Sequence, residues 1–169
     1  MNRAEQVRIP AAIAIASLVA YLLGFWFTSL FVGYLPKIGG LWSAISAIVV
    51  TQLSVEETRN SASLRVLGSA IGAATSAVYL SLLPFHPVGM AVAIFATVVI
   101  CTAFKVPSHG RLAAITVIVV MVTASLDPSL NPLLNALLRL IESCIGTAVA
   151  LVGVRFWRQH PANGGEQQR

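Results

Sequence analysis

The chain has 169 residues, of which 57% are hydrophobic and only 10% charged, with a mean hydropathy of +0.83. Soluble domains carry about 25% charged residues, so this composition cannot coat a water-soluble surface and makes the bilayer the solvent for most of the chain. The net charge of +5 is spread between long apolar runs and forms no basic stripe, which points to membrane topology and away from nucleic acid. A span takes about 20 residues, so little length remains for a large soluble catalytic domain.

Residues 1–8 carry Arg3 and Arg8 and read as a cytoplasmic segment. The apolar run that follows exceeds the 7–15 residues of a signal-peptide core and is read as span one, 9–31. Span two, 38–55, is short and contains Trp42, Ser46 and Gln52. A polar connection, 54–60, precedes a long apolar region, charge-free over 66–104, that Pro84-Phe85-His86-Pro87 divides into spans three, 61–83, and four, 88–104. Span five is 112–126, ended by Asp127-Pro128, and Pro132 opens span six, which runs to Trp157. Residues 158–169 read as a disordered cytoplasmic tail.

The fold predicted is therefore all-α and integral to the membrane, one six-span domain over 9–157 with both termini cytoplasmic. Nine cations then fall inside (Arg3, Arg8, Arg59, Arg65, Lys105, Arg111, Arg155, Arg158, Arg169) against one outside, Lys37. Such a bias places the inner face on the cytoplasmic side. Cys101 and Cys144 lie in apolar runs and read as packing residues.

Shifting the chain by 70 lays Gly40, Ala44, Ile45, Ile48, Val49 and Val50 over identical residues at 110, 114, 115, 118, 119 and 120. A shift of 74 lays Arg65, Ser69, Ile71 and Gly72 over Arg139, Ser143, Ile145 and Gly146. Two copies of three spans, about 9–84 and 87–157, make a 3+3 inverted-topology repeat, an arrangement common in transporters with a midplane site at the repeat interface.

Arg139 stands seven residues into span six, about 10 Å along the helix. A charge at that depth faces a bundle interior or a watery cavity. Glu142 at i+3 shares its face, so the pair is either a structural ion pair or an anion ligand with a protonatable partner. Arg65, its repeat mate, is either a second anion contact guarding the opposite mouth of one path or an anchor at a helix end. Trp42 and Gln52 give span two a polar, aromatic character, although a tryptophan near an interface is often a belt anchor. Gly68, Gly72 and Gly146 read as helix-packing positions. No Ser/His/Asp set, phosphate loop or metal-ligand spacing occurs, so neither an enzyme, a cofactor nor a metal is expected.

Trp42-Ser-Ala-Ile-Ser-Ala-Ile-Val-Val-Thr-Gln52, Glu57-Thr58, Arg65-Val-Leu-Gly-Ser-Ala-Ile-Gly-Ala73 and Arg139-Leu-Ile-Glu-Ser-Cys-Ile-Gly146 resemble the pattern of the fusaric acid resistance protein-like (FUSC) superfamily. Trp42, Arg65, Gly68, Gly72, Arg139 and Gly146 are the positions that match. That superfamily includes bacterial aromatic acid exporters and, distantly, aluminium-activated malate transporters, which are dimeric six-span anion channels. The resemblance implies a homo-oligomer, with a dimer favoured, in a bacterial-type inner membrane, exporting a small organic anion such as an aromatic carboxylate. The alternative is a non-transporting scaffold or assembly partner of a larger efflux complex.

Overall fold

The computed structural model describes residues 3–52, 54–104 and 107–159 and is helical throughout its regular elements. The helices are α1 (Arg3–Ser29), α2 (Pro36–Val50), α3 (Val55–Leu82), α4 (Pro87–Ala103), α5 (Gly110–Leu126) and α6 (Pro132–Gln159), with a 3-10 turn at Pro107–His109 before α5. Residues 160–169, most of the expected tail, lie outside the described residues.

Local chemistry sets the boundaries. Pro36, Pro87 and Pro132 each open a helix, where the missing N–H costs no hydrogen bond. Asn131 Oδ1 accepts from the Leu133 and Leu134 amides at 3.0 and 3.1 Å and so caps α6. The largest departures from the sequence expectation are the start of α1 at Arg3, six residues before 9, the end of α2 and the start of α3. Helix α2 stops at Val50, leaving Thr51 and Gln52 beyond its end. Helix α3 starts at Val55, six residues before the expected 61, because Ser54 caps it by accepting from the Glu57 amide at 3.0 Å. Glu56 and Glu57 then sit in the first turn, where the helix dipole favours negative charge.

Three helices are long and apolar enough to cross a membrane: Pro10–Ser29, Val55–Leu82 and Pro132–Phe156. The other three have 15, 17 and 17 residues, or about 22–26 Å at 1.5 Å per residue, against a hydrocarbon core of about 30 Å.

The bundle is apolar outside and polar within. Leu18, Leu22, Trp26, Val92 and Phe95 are exposed, while Ser43, Ser46, Ser69, Thr97, Thr116 and Asn135 are buried. Water would penalise that distribution, whereas lipid requires it. Many of the buried hydroxyls satisfy themselves on the preceding turn, as Ser76 does on the Gly72 carbonyl and Thr97 on Ala93.

Helices α3 and α6 pack together at the centre; α2 lies on α6, α5 lies on α3, and α1 and α4 flank α2 and α5. Glycine makes the two cross-contacts close. A Cβ on Gly146 would collide with the Ser43 carbonyl and the Ser46 side chain of α2, and one on Gly72 with the Ala113 carbonyl and the Thr116 side chain of α5. Only hydrogen at these positions lets the backbones approach. The turns 30–35, 83–86 and 127–131 share one end of the bundle, where residues from the first and third, and from the second and third, line common cavities.

Gly146→Val is expected to destabilise the purified protein by several kcal/mol, the usual cost of forcing volume into a packed contact being about 1–3 kcal/mol or more. Gly153→Val is expected to be near neutral, since a Cβ there meets nothing within 4 Å. Thermal unfolding in detergent compares the two.

Candidate functional site

Among the described residues, the two largest fully buried side chains are both arginines, Arg65 and Arg139, at 0% and 1% exposure. Burying guanidinium groups in a membrane domain is costly. The surrounding residues compensate that cost unequally for the two.

Arg139 pairs with Glu142 one turn along α6, Nη2 to Oε1 at 2.9 Å. Thr28 of α1 donates to the same carboxylate oxygen at 2.6 Å. Gly39 of α2 lies against both groups, and a side chain there would displace them. Arg139 Nε and Nη1 and Glu142 Oε2 have no hydrogen-bond partner.

Arg65 has no carboxylate within 4 Å among the described residues. Its Nε and Nη2 donate to Ser46 Oγ at 3.1 and 3.0 Å, and its guanidinium lies over the Trp42 ring, 4.4 Å from the centroid. This is a cation–π contact in a desolvated site, worth about 2 kcal/mol. Arg65 Nη1 is unpartnered. Arg65 therefore leaves the count of inside-facing cations, because it is an interior charge.

Trp42 joins the two arginines. Its face carries Arg65, and its indole N–H donates to the Arg139 carbonyl at 2.9 Å. At 2% exposure it is a buried strut and not a belt anchor. The arginines, expected at opposite mouths, are thus linked through one ring, Arg65 by its guanidinium on the face and Arg139 by its backbone carbonyl at the N–H edge. Two guanidiniums and one carboxylate leave the core with one positive charge in excess.

From Ser46 a row of hydroxyls crosses the bundle. Ser46 lies 3.3 Å from Ser143, Ser143 lies 2.9 Å from Ser69, and Thr116 lies 3.4 Å from Ser69. The row joins α2, α6, α3 and α5 in turn. Nearby, Ser43 donates to the Glu142 carbonyl at 3.0 Å.

Arg139 also lines a cavity of about 270 Å³ at the bundle end formed by the 30–35 and 127–131 turns, together with Tyr34, Ile38, Asp127 and Leu130. Asp127 accepts from the Ser129 amide and hydroxyl at 3.0 and 2.6 Å, which holds its carboxyl below the usual range and keeps it charged at neutral pH. Burial pushes the Tyr34 phenol up, so it stays neutral.

The structure brings Arg139, Glu142, Arg65 and Trp42 together, with Gly146 and Gly72 closing the helix contacts beside them. Gly68 packs against the start of α5. Gln52 does not join them: it is exposed past the end of α2, its amide bonded to the Val49 carbonyl at 3.3 Å. Sequence reasoning missed Thr28, Tyr34 and Asp127. Ser69 and Ser143 had a signal, since they occupy matching places in the two halves.

An apolar exterior around a charged, hydroxyl-rich interior defines a multi-pass α-helical membrane protein. The chain belongs to the fusaric acid resistance protein-like family, whose profile matches residues 15–153, a family associated with membrane transport or efflux. No curated protein and no solved structure shows significant similarity to it.

Trp42→Phe keeps a ring beneath Arg65 and removes the N–H to Arg139, so it is expected to cost about 1 kcal/mol. Trp42→Leu removes both contacts and is expected to cost about 3 kcal/mol. Thermal unfolding of the two variants measures the difference.

Proposed function

We propose that this protein exports small organic anions, of the aromatic carboxylate class, across a bacterial-type cytoplasmic membrane, as a channel-like or secondary transporter. The observation that carries the reading is Arg139: a buried guanidinium, two of whose nitrogens lack a partner, on a residue that lines a cavity. Arginine offers a carboxylate a planar, charge-assisted hydrogen-bonding surface. Apolar Leu130 and Ile38 and the Tyr34 ring suit an aromatic body. The excess positive charge of the core favours an anion over a cation.

In this reading the anion comes from the cytoplasmic side past Arg65 and leaves beside Arg139 through the cavity at the outer turns, with a shift of Trp42 and α2 opening the way between them. Glu142 exchanges Arg139 for the substrate and takes up a proton as it does so. An interior-negative potential drives anion efflux by about 2.3 kcal/mol per charge per 100 mV, so a passive path suffices.

The same reading has six spans as a 3+3 inverted repeat with both termini cytoplasmic. Reciprocal glycine seats support it, Gly146 on Ser43 and Ser46 and Gly72 on Ala113 and Thr116, since each pair of seats is related by the shift of 70 and the glycines by 74. The hydroxyl row is likewise arranged about the Ser69–Ser143 contact. In this reading the three shorter helices cross as well, as short spans. A homodimer in the bilayer is the assembly this reading takes.

The second reading is a scaffold that moves nothing, and it is favoured by the near-complete burial of Arg139 and its pairing with Glu142. Arg139→Gln alone strands Glu142 and is expected to destabilise by about 3–5 kcal/mol. The double variant Arg139→Gln, Glu142→Gln removes both charges and is expected to remain monodisperse and folded. Benzoate flux in proteoliposomes then separates the readings: loss of at least tenfold in the folded double variant supports transport, and unchanged flux sinks the assignment of the site.

A further inference from the structure

The cavity at the 30–35 and 127–131 turns holds two charged side chains of opposite sign, Arg139 at its buried side and half-buried Asp127 in the turn. They line one space together with Tyr34. The remaining lining is Gly33, Leu35, Ile38, Leu126, Leu130 and Thr123, whose hydroxyl donates to the Val119 carbonyl of its own helix. At about 270 Å³ the space lies at the small end of ligand pockets, and fits one ring.

Asp127 is not there by necessity of the turn alone. Its Oδ1 accepts both bonds from Ser129, a task an asparagine performs equally well, so the charge itself is surplus to the local structure. Its effect falls on whatever anion enters. A carboxylate drawn toward Arg139 lies at the buried side of the cavity, across it from the turn. A second carboxylate across the same ring points back toward Asp127. Glu142 already neutralises part of Arg139, and the lining holds no second cation to offset that repulsion, only the Tyr34 and Thr123 hydroxyls.

We propose that Asp127 makes this cavity selective for monocarboxylates with an apolar or aromatic body and rejects acids that carry a second carboxylate on the opposite side of the ring. The proposal rests on the anion-transport reading above and assigns the substrate class within it. It also sets Asp127 apart from the two arginines, as a residue that discriminates among anions without attracting them.

The test uses the purified full chain in proteoliposomes and compares two acids of the same ring, benzoate and terephthalate. Wild type is expected to carry terephthalate at about one-fifth or less of the benzoate rate, the order of discrimination that a like charge lining a partly screened cavity supplies. Asp127→Asn, which keeps the Oδ1 acceptor, is expected to raise the terephthalate-to-benzoate ratio several-fold. Ser129→Ala serves as the structural comparison: it loses the hydroxyl bond to Asp127, keeps the charge, and is expected to retain the wild-type ratio. Equal rates for both acids in wild type, an unchanged ratio in Asp127→Asn, or an equal rise in Ser129→Ala each overturn the role of Asp127 while leaving benzoate transport standing. Absence of flux for either acid overturns the transport reading itself and this proposal with it.

Discussion

The contact of the Arg65 guanidinium with the Trp42 ring, and of that ring's N–H with the Arg139 backbone, organises the interior of this protein. Two guanidiniums in a low-dielectric bundle would be prohibitive if left bare. One is stabilised by a π face and a serine, the other by a carboxylate and, through it, a threonine. Because these partners come from α1, α2, α3 and α6, the charges tie four helices together at one place. A change at Trp42 reaches both arginines, although neither touches the other.

This constraint accounts for much of the surrounding composition. Hydroxyl side chains fill the positions where α2, α3, α5 and α6 meet, since they hydrogen-bond one another or their own helix and need no water. Glycines stand where a helix must reach the hydroxyl row closely, at 72 and 146. Outward positions are free of such demands and are occupied by large apolar residues. The result is a polar interior wrapped in hydrocarbon, the inverse of a soluble domain.

Specific chemistry comes from the incompleteness of this compensation. Two nitrogens of Arg139 and one of Arg65 lack a partner, and Glu142 pairs with Arg139 alone, which is the excess charge that the anion-transport proposal draws on. The turns at one bundle end add the cavity by which Arg139 is approached, and they bring Tyr34 and Asp127 to it. The two charges that line it stand on different elements, Arg139 on a helix in the core and Asp127 on a turn.

The all-helical class, the helix-opening prolines and the importance of Arg139 with Glu142 were legible in the linear chain, because apolar run length, proline chemistry and a charge inside an apolar run are local properties. Family membership was legible too, through Trp42, Arg65, Gly72 and Arg139. The start of α3 was misread: Ser54 with Glu57 signals a cap, but the polar residues that follow resemble a loop until their amides are seen to be bonded. Gln52 looked equivalent to Ser46 by composition, and only the end of α2 at Val50 separates them. Arg65 read as equally suited to a helix-end anchor, since depth along a helix does not say which way a long side chain turns. Thr28 and Asp127 carried no signal, because their meaning depends on a partner 114 residues away in the first case and on a cavity between two turns in the second. Local sequence specifies which segments become helices; which face of each meets another, and hence which charges share a ring, follows from long-range packing that no single segment encodes.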